Sequence, residues 1–179
     1  MKKLIPFLWA KSIYDIDINF FKKMKCKYLF CDLDNTLEGY KKAKPSKKVI
    51  ALIDLLSKEG IEVVIVSNNS EKRVETFCKE KNYSYIAKAY KPFKKKCLAF
   101  IEQNKINKDE IIFVGDQIFT DILCANRIGV KSILTEDIVK SNQLVTRFNK
   151  FFDKRVRSRL QKKGLLIDWR NYYGRINKS

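Results

Sequence analysis

The chain has 179 residues, which is long enough to bury one sizeable core and predicts one domain. Histidine is absent, which excludes Ser-His-Asp triads, Cys-His nucleophiles and His-ligated zinc, so acid-base chemistry must fall to carboxylates, lysine or tyrosine. Lysine and arginine number 38 against 20 acidic residues, and the formal net charge of +18 predicts an anionic partner, either nucleic acid or a membrane surface.

The chain contains no run of about 18 apolar residues, and its apolar start is short and interrupted by Pro6. Neither a transmembrane helix nor a signal peptide is therefore predicted. Five cysteines are scattered without a CxxC motif, and several lie in apolar runs, so we expect them to be reduced and structural. These features predict a cytoplasmic protein, with peripheral attachment to the inner face of the plasma membrane as a further expectation.

Three regions are predicted along the chain. Residues 1–25 form an irregular lead of apolar and basic character, which either covers a sheet edge or contacts a membrane interface. Residues 26–140 form an α/β domain, and residues 141–179 form a basic amphipathic helix and tail.

Strands and helices alternate within the middle region. Continuous apolar runs predict strands buried on both faces at 28–31, 61–66, 111–114 and 130–134, with a short strand at 84–87. Helical spacing predicts a helix over 45–58, another after Ser70, one with Pro92 in its first turn, and one ending at Arg127. This alternation predicts an α/β fold with a single doubly wound, Rossmann-like parallel sheet and helices on both faces.

Two carboxylates, Asp32 and Asp34, directly follow the first buried strand. Ligands of open α/β sheets bind at the carboxyl ends of strands, and residues two apart on an extended chain point the same way. Such close carboxylates repel unless a cation or a proton lies between them. The pair indicates a divalent metal and an acid-base group, with Asp32 as a candidate nucleophile toward phosphorus; a helix cap or a turn is the alternative.

Other strand ends also carry polar side chains: Ser67, Lys91, and the pair Asp116 and Asp121. Each alone would be an ordinary cap, a solvated lysine or a turn residue. A parallel sheet brings these ends to one edge, so their joint occurrence predicts a catalytic site. There a hydroxyl and an ammonium would hold phosphoryl oxygens, and a magnesium ion between carboxylates would screen their charge.

In the order and spacing of these motifs the chain resembles the haloacid dehalogenase superfamily of aspartate-nucleophile phosphatases. The resemblance implies that Asp32 forms an aspartyl-phosphate, while Asp34 protonates the leaving oxygen and then activates water. It implies Mg²⁺ as the cofactor, held by Asp32, the backbone carbonyl of Asp34 and Asp116, with Asp121 assisting. It also implies a phosphate-binding set formed by Thr36, Ser67, Asn68 and Lys91.

A narrower resemblance includes Ser12-Ile13-Tyr14-Asp15-Ile16-Asp17 and the Ser67-Asn68-Asn69 and Lys91-Pro92 motifs. With these the chain is similar to the bacterial YqeG family, type IIIA phosphatases similar to the mitochondrial phosphatidylglycerophosphatase. Relatives that act on small metabolites usually carry a cap domain, but only 32 residues separate Asp34 from Ser67 and 23 separate Ser67 from Lys91. No cap domain is therefore expected, which leaves the site open to a large or surface-bound substrate.

The segment from Arg147 to Lys163 combines eight basic residues and one acid, Asp153, with apolar residues at helical spacing. Six of the eight arginines of the chain lie from Arg147 onward. This pattern predicts a basic amphipathic helix, which either contacts an anionic membrane or packs its apolar face on the sheet. Trp169, Tyr172 and Tyr173 likewise suit either an interface or packing against Trp9 and its neighbours.

Together with these observations, the resemblance implies a magnesium-dependent phosphomonoesterase that dephosphorylates the headgroup of phosphatidylglycerophosphate, giving phosphatidylglycerol, at the membrane surface. A phosphatase for phosphoproteins or nucleic acid ends is an alternative enzyme. A basic RNA-binding or ribosome-associated module without catalysis is a third possibility, although the chain lacks the RRM signature and the GxxG loop of a KH domain.

Overall fold

The computed structural model describes residues 2–139 and 144–178, with side chains in the second range from residue 151 onward. Its strands are β1 (Leu8–Trp9), β2 (Tyr28–Cys31), β3 (Glu62–Val66), β4 (Ser84–Ile86), β5 (Ile111–Gly115) and β6 (Lys131–Leu134). Its helices are α1 (Ile18–Lys23), α2 (Lys47–Lys58), α3 (Glu71–Cys78), α4 (Lys95–Gln103), α5 (Leu123–Ile128), α6 (Leu144–Lys162) and α7 (Trp169–Ile176).

All six strands are parallel and form one sheet in the order β1-β6-β5-β2-β3-β4. The chain runs outward from β2 in one direction through β3 and β4, and then returns to build β5 and β6 on the other side. The strand order therefore reverses between β2 and β5, and this is the place where open α/β sheets bind ligands. The predicted doubly wound α/β fold is confirmed.

Both faces of the sheet are covered, as the unbroken apolar runs predicted. Within β2, Leu29 and Cys31 belong to one buried cluster, whereas Phe30, which points to the opposite face, belongs to another. Helix α2 covers the first face: Ser46 caps its start by accepting a hydrogen bond from the Val49 N–H (3.4 Å). The helix then buries Val49, Ile53 and Leu56.

The N-terminal lead contributes more than a cover, because its strand β1 pairs with β6 and extends the sheet. Helix α1 of the lead also packs on the C-terminal helix α7, where the rings of Phe20 and Trp169 meet edge to face at 5.6 Å. Phe7 meets Tyr172 in the same way. The predicted packing near Trp9 is confirmed for Tyr172, which meets Phe7, whereas Trp169 packs on Phe20; contact of these aromatic residues with an interface stays a prediction.

One predicted helix boundary is wrong. Helix α4 begins at Lys95, so Pro92 does not lie in its first turn. The Lys91-Pro92 peptide is cis and lies in a turn in which the Phe93 N–H donates to the Tyr90 carbonyl at 2.8 Å, and this turn delays the helix. The predicted division between residues 140 and 141 lies outside the described residues.

No inserted domain occurs between the motifs: α2 and β3 occupy the chain from Asp34 to Ser67, and α3, a 3₁₀ turn and β4 occupy the chain from Ser67 to Lys91. Within the described ranges, no helix has both the length and the apolar character needed to cross a bilayer.

Candidate active site

The carboxyl ends of four adjacent strands bring the predicted residues together. Cys31, the last residue of β2, is paired with Ile65 of β3 on one side and with Val114 of β5 on the other. The carboxyl ends of these three central strands therefore lie side by side. Beyond the end of β2 the Asp32 N–H still donates to the Val114 carbonyl at 2.9 Å. Asp32 is thereby fixed at the central edge of the sheet, above a core that excludes water.

Lys91 lies at the centre of the site, and only 2% of its side chain is exposed. Its ammonium group contacts Asp32 Oδ1 at 2.5 Å and Asp121 Oδ1 at 2.7 Å, and it donates to the Val66 carbonyl at 2.8 Å. Burial opposes the charge of Lys91, but the carboxylates of Asp121 and Asp32 outweigh burial and raise its pKa above the ordinary value. The lysine is therefore a fixed positive charge.

Three buried carboxylates surround this lysine. Oxygen atoms of Asp32, Asp116 and Asp121 all lie within 4.8 Å of one another. Burial raises the pKa of Asp32 and of Asp116, and repulsion between the carboxylates adds to it, while Lys91 opposes the shift at Asp32. Thr36, which also lies in the site, donates from Oγ1 to Asp116 Oδ1 at 3.2 Å.

The donor set fits a divalent cation. The cluster holds three carboxyl groups and one ammonium group, so with all three carboxyls ionised two negative charges would lack a partner. Carboxylate oxygens are the ligands that Mg²⁺ prefers, and a bound divalent cation would favour the charged forms whose pKa burial raises. Asp32, Asp116 and Asp121 are thus the residues that could hold such a metal.

The loop from Gly115 to Asp121 is folded back on itself so that Asp121 reaches the cluster. Asp121 Oδ2 accepts from the Gln117 N–H at 3.0 Å, and the chain continues in a π-helical turn, Ile118–Ile122. A Cβ atom on Gly115 would lie 2.3 Å from the Cβ of Asp121. Only glycine at position 115 therefore permits this close approach.

Asp34 lies outside the carboxylate cluster, because other groups hold its side chain. Arg73 Nη2 contacts Asp34 Oδ1 at 2.7 Å, and the side-chain amide of Asn69 donates to Asp34 Oδ2. Arg73 also donates to the carbonyls of Tyr40 (2.8 Å) and Lys42 (3.2 Å). The sequence analysis named Asn69 only as part of the Ser67-Asn68-Asn69 motif, without a role, and it missed Arg73, which lies four residues further on.

The two remaining predicted phosphate ligands differ in how they are placed. Ser67 is buried, and its Oγ accepts from the N–H (3.1 Å) and the side-chain amide (3.0 Å) of Asn69. The side chain of Asn68 instead bonds the backbone of Lys91, donating to its carbonyl at 3.0 Å and accepting from its N–H at 2.7 Å. Asn68 thus holds Lys91 in place, and a direct phosphate contact from Asn68 stays a prediction.

Helix α6 reaches the site from the C-terminal region through Asp153 and Arg157, two residues that sequence reasoning did not assign to it. Asp153 Oδ1 accepts from the buried Ile118 N–H at 2.7 Å. Arg157 donates to the Asp116 carbonyl and, at 2.9 Å, to the Thr135 carbonyl. Part of the predicted amphipathic helix therefore packs on the loop that carries two of the three clustered carboxylates.

A parallel sheet that presents a buried carboxylate-lysine cluster at its strand-order reversal places the protein among α/β proteins with a candidate aspartate-based site. Residues 9–135 match the haloacid dehalogenase-like hydrolase family, and the chain belongs to it. The chain is also 33% identical over 168 residues to the probable phosphatase YqeG of Bacillus subtilis (strain 168), a match that covers 94% of this chain and 97% of that protein. Both resemblances based on the motifs are confirmed.

The chain is also similar to solved structures. An uncharacterized protein from Listeria monocytogenes serotype 4b matches with a TM-score of 0.52 and 17% identity, over 65% of this chain and 84% of that one. A 3-deoxy-D-manno-octulosonate 8-phosphate phosphatase from Moraxella catarrhalis, solved with a magnesium ion and a phosphate ion, has a TM-score of 0.44 and 17% identity. That match covers 56% of this chain and 63% of the other. At 17% identity the Listeria match shows the fold alone.

Proposed function

We propose that this hydrolase is a magnesium-dependent phosphomonoesterase that forms a covalent aspartyl-phosphate on Asp32. The observation that carries the proposal is the contact of the buried Lys91 ammonium group with Asp32 and Asp121, beside Asp116, at the central edge of the sheet. A nucleophile toward a phosphate dianion needs neutralising charge around it, and this cluster supplies an ammonium group and a set of carboxylates that suits a metal.

In the first step an oxygen of Asp32 attacks phosphorus, and the bond between phosphorus and the ester oxygen breaks. The bonding electron pair leaves with that oxygen, which takes a proton from Asp34. In the second step Asp34 accepts a proton from water as the water oxygen attacks phosphorus. The bond between phosphorus and Asp32 then breaks, so inorganic phosphate leaves and the Asp32 carboxylate is restored.

The other site residues bind and orient the phosphoryl group. Lys91 and the Ser67 hydroxyl hold its oxygens, and Thr36 and Asn68 complete the predicted set by holding Asp116 and Lys91. Magnesium, when bound by Asp32, the Asp34 carbonyl and Asp116 with Asp121 nearby, supplies neutralisation of the phosphoryl charge. Arg73 and Asn69 keep Asp34 in one orientation, so that a single carboxyl group serves both proton transfers.

The substrate we propose is phosphatidylglycerophosphate, which the enzyme would meet at an anionic membrane. The absence of an inserted domain between the described motifs supports an open site, which a headgroup held in a bilayer requires. Exposed apolar side chains support a substrate held in a membrane. Eight large apolar side chains are exposed among the described residues, and six of them lie after the end of β4, after the end of β6, or on α6. They are Tyr90, Phe93, Ile138, Val139, Phe151 and Phe152.

Basic residues accompany these apolar side chains. Three exposed lysines follow Phe93: Lys94, Lys95 and Lys96. Five exposed basic residues follow Phe151 and Phe152, on α6 or just beyond its end: Lys154, Arg155, Arg159, Lys162 and Lys163. The predicted membrane segment begins at Arg147, whose side chain lies outside the described residues. The part of this segment whose side chains are described, from residue 151 onward, combines apolar and cationic groups, as interfacial helices do.

The test of the reaction is phosphate release from phosphatidylglycerophosphate in mixed micelles, with and without magnesium, beside a soluble aryl phosphate. We expect magnesium-dependent turnover that favours the lipid and disappears in Asp32→Asn. Turnover of the aryl ester alone would keep the phosphatase and reject the lipid, in favour of a phosphoprotein or a nucleic acid end. Salt-dependent RNA binding without turnover of either ester would replace the enzyme by the RNA-binding module.

The membrane contact is tested by sedimentation with phosphatidylglycerol-rich vesicles. Each lysine near an anionic leaflet contributes about 1 kcal/mol, so Lys162→Gln combined with Lys163→Gln should weaken binding about 30-fold. The matched control, Lys47→Gln with Lys58→Gln, removes the same charge from exposed positions on α2. If both double variants lose vesicle binding equally, the loss reflects net charge alone, and α6 is rejected as the docking element.

A further inference from the structure

Asp153 is the only acidic residue between positions 147 and 163, and it is buried on the side of α6 that faces the site, with 7% exposure. Its second oxygen, Oδ2, accepts from Arg157 Nε at 3.0 Å, one helical turn further on. The two residues form an ion pair, and Asp153 Oδ1 and Arg157 Nη2 bond backbone groups at the edge of the sheet that carries the site. We call this ion pair the α6 clamp.

The α6 clamp holds the Asp116 loop at two points. Asp153 accepts from the Ile118 N–H, and Arg157 donates to the Asp116 carbonyl, so the clamp bonds the backbone on both sides of Gln117. Arg157 also donates to the Thr135 carbonyl, just after β6. The loop, the end of β6 and α6 are therefore joined through one guanidinium group and one carboxylate.

We propose that Asp153 and Arg157 are positioning residues that set the geometry of the Asp116 and Asp121 carboxylates for the metal. This inference rests on the proposed magnesium-dependent function and adds the part that α6 plays in it. Mg²⁺ demands near-ideal octahedral geometry, so a small rotation of the backbone at Asp116 misplaces a ligand. Residues that orient metal ligands from outside the coordination sphere typically change metal affinity by about 10- to 100-fold when they are replaced.

The experiment measures Mg²⁺ binding to the whole chain by isothermal titration calorimetry, well below the unfolding temperature. Arg157→Gln should raise the Mg²⁺ dissociation constant by about 10- to 100-fold. It should also raise the magnesium concentration for half-maximal hydrolysis of a soluble aryl phosphate, while kcat at saturating magnesium falls less. Arg170→Gln is the matched control, because Arg170 pairs with Asp168 at 3.6 Å on the exposed surface of α7, away from the loop.

Asp153 gives a second, graded comparison that does not depend on the stability of Arg157→Gln. Asp153→Asn keeps an oxygen that can accept from Ile118, whereas Asp153→Ala loses both clamp contacts, so the alanine variant should bind Mg²⁺ more weakly than the asparagine variant. A lower unfolding temperature with an unchanged Mg²⁺ dissociation constant in these variants would overturn the inference, because α6 would then only stabilise the fold. Absence of Mg²⁺ binding and turnover in the wild-type protein would instead reject the proposed function itself.

Discussion

Replacing Lys91 by Met keeps most of the aliphatic side chain and removes the ammonium group from the carboxylate cluster. That group lies 2.5 Å from Asp32 and 2.7 Å from Asp121, with 2% of the side chain exposed, so water cannot take its place without rearrangement. Removing one partner of a buried ion pair costs about 3–5 kcal/mol, because the remaining charge is left uncompensated. For a domain of this size, each kcal/mol lowers the unfolding temperature by about 2–4 °C.

We therefore expect Lys91→Met to lower the unfolding temperature by about 6–20 °C in EDTA, measured by circular dichroism. Added magnesium should narrow the gap, since a divalent cation can balance the same carboxylates. Lys95→Met is the control: Lys95 is exposed at the start of α4, and its replacement should change stability by less than about 0.5 kcal/mol. An unfolding temperature within about 2 °C of the wild-type value in EDTA would refute the electrostatic account of the cluster.

Two further substitutions test the site. Asp34→Asn should slow formation of the phosphoenzyme, measured as the pre-steady-state burst, by about 10²- to 10⁴-fold for alkyl esters. Aryl esters with acidic leaving groups need less protonation, so their reaction should slow much less. Equal slowing of both ester classes would contradict a proton-donating Asp34. Gly115→Ala should abolish calorimetric Mg²⁺ binding, because the added Cβ would lie 2.3 Å from that of Asp121. Gly174→Ala, which has no atom within 4 Å of its added Cβ, should bind Mg²⁺ normally. Normal binding in Gly115→Ala would contradict a metal role for Asp121.

The positions of the polar strand ends could be predicted from the sequence because the information that sets them is local. The unbroken apolar run of Tyr28–Cys31 identifies a strand buried on both faces, and the polar residue after it must leave the core. The same reasoning places Ser67 and Asp116 at the ends of β3 and β5. Parallel pairing then brings these ends together without any knowledge of side-chain contacts.

The contacts that orient the site could not be predicted, because they join residues distant along the chain. Arg73 and Asp34 are 39 residues apart, and Arg157 and Asp116 are 41 residues apart. Hydrophobic periodicity reports which face of a helix is buried, but it does not report which backbone group a charged side chain on that face will meet. The available signal for the clamp was Asp153, the only acid between positions 147 and 163.

The edge strand β1 was missed for a different reason. It has two residues, and a periodic pattern cannot be recognised over so short a run. Its place is set by pairing with β6, which lies more than a hundred residues later, and the Phe7 N–H accordingly donates to the Ser132 hydroxyl at 3.3 Å across 125 positions. Such an edge strand is defined by tertiary pairing, whereas the central strands are defined by their own composition.

The proposed reaction requires Asp32 to carry the phosphoryl group during turnover. Borohydride reduces an acyl phosphate to an alcohol, so quenching the enzyme with borohydride during turnover of an aryl phosphate should convert Asp32 to homoserine, detected by peptide mass spectrometry. We expect homoserine at position 32 only when magnesium and substrate are both present, and none in Asp32→Asn. Full turnover with unmodified Asp32, or homoserine at another carboxylate, would contradict the proposed reaction.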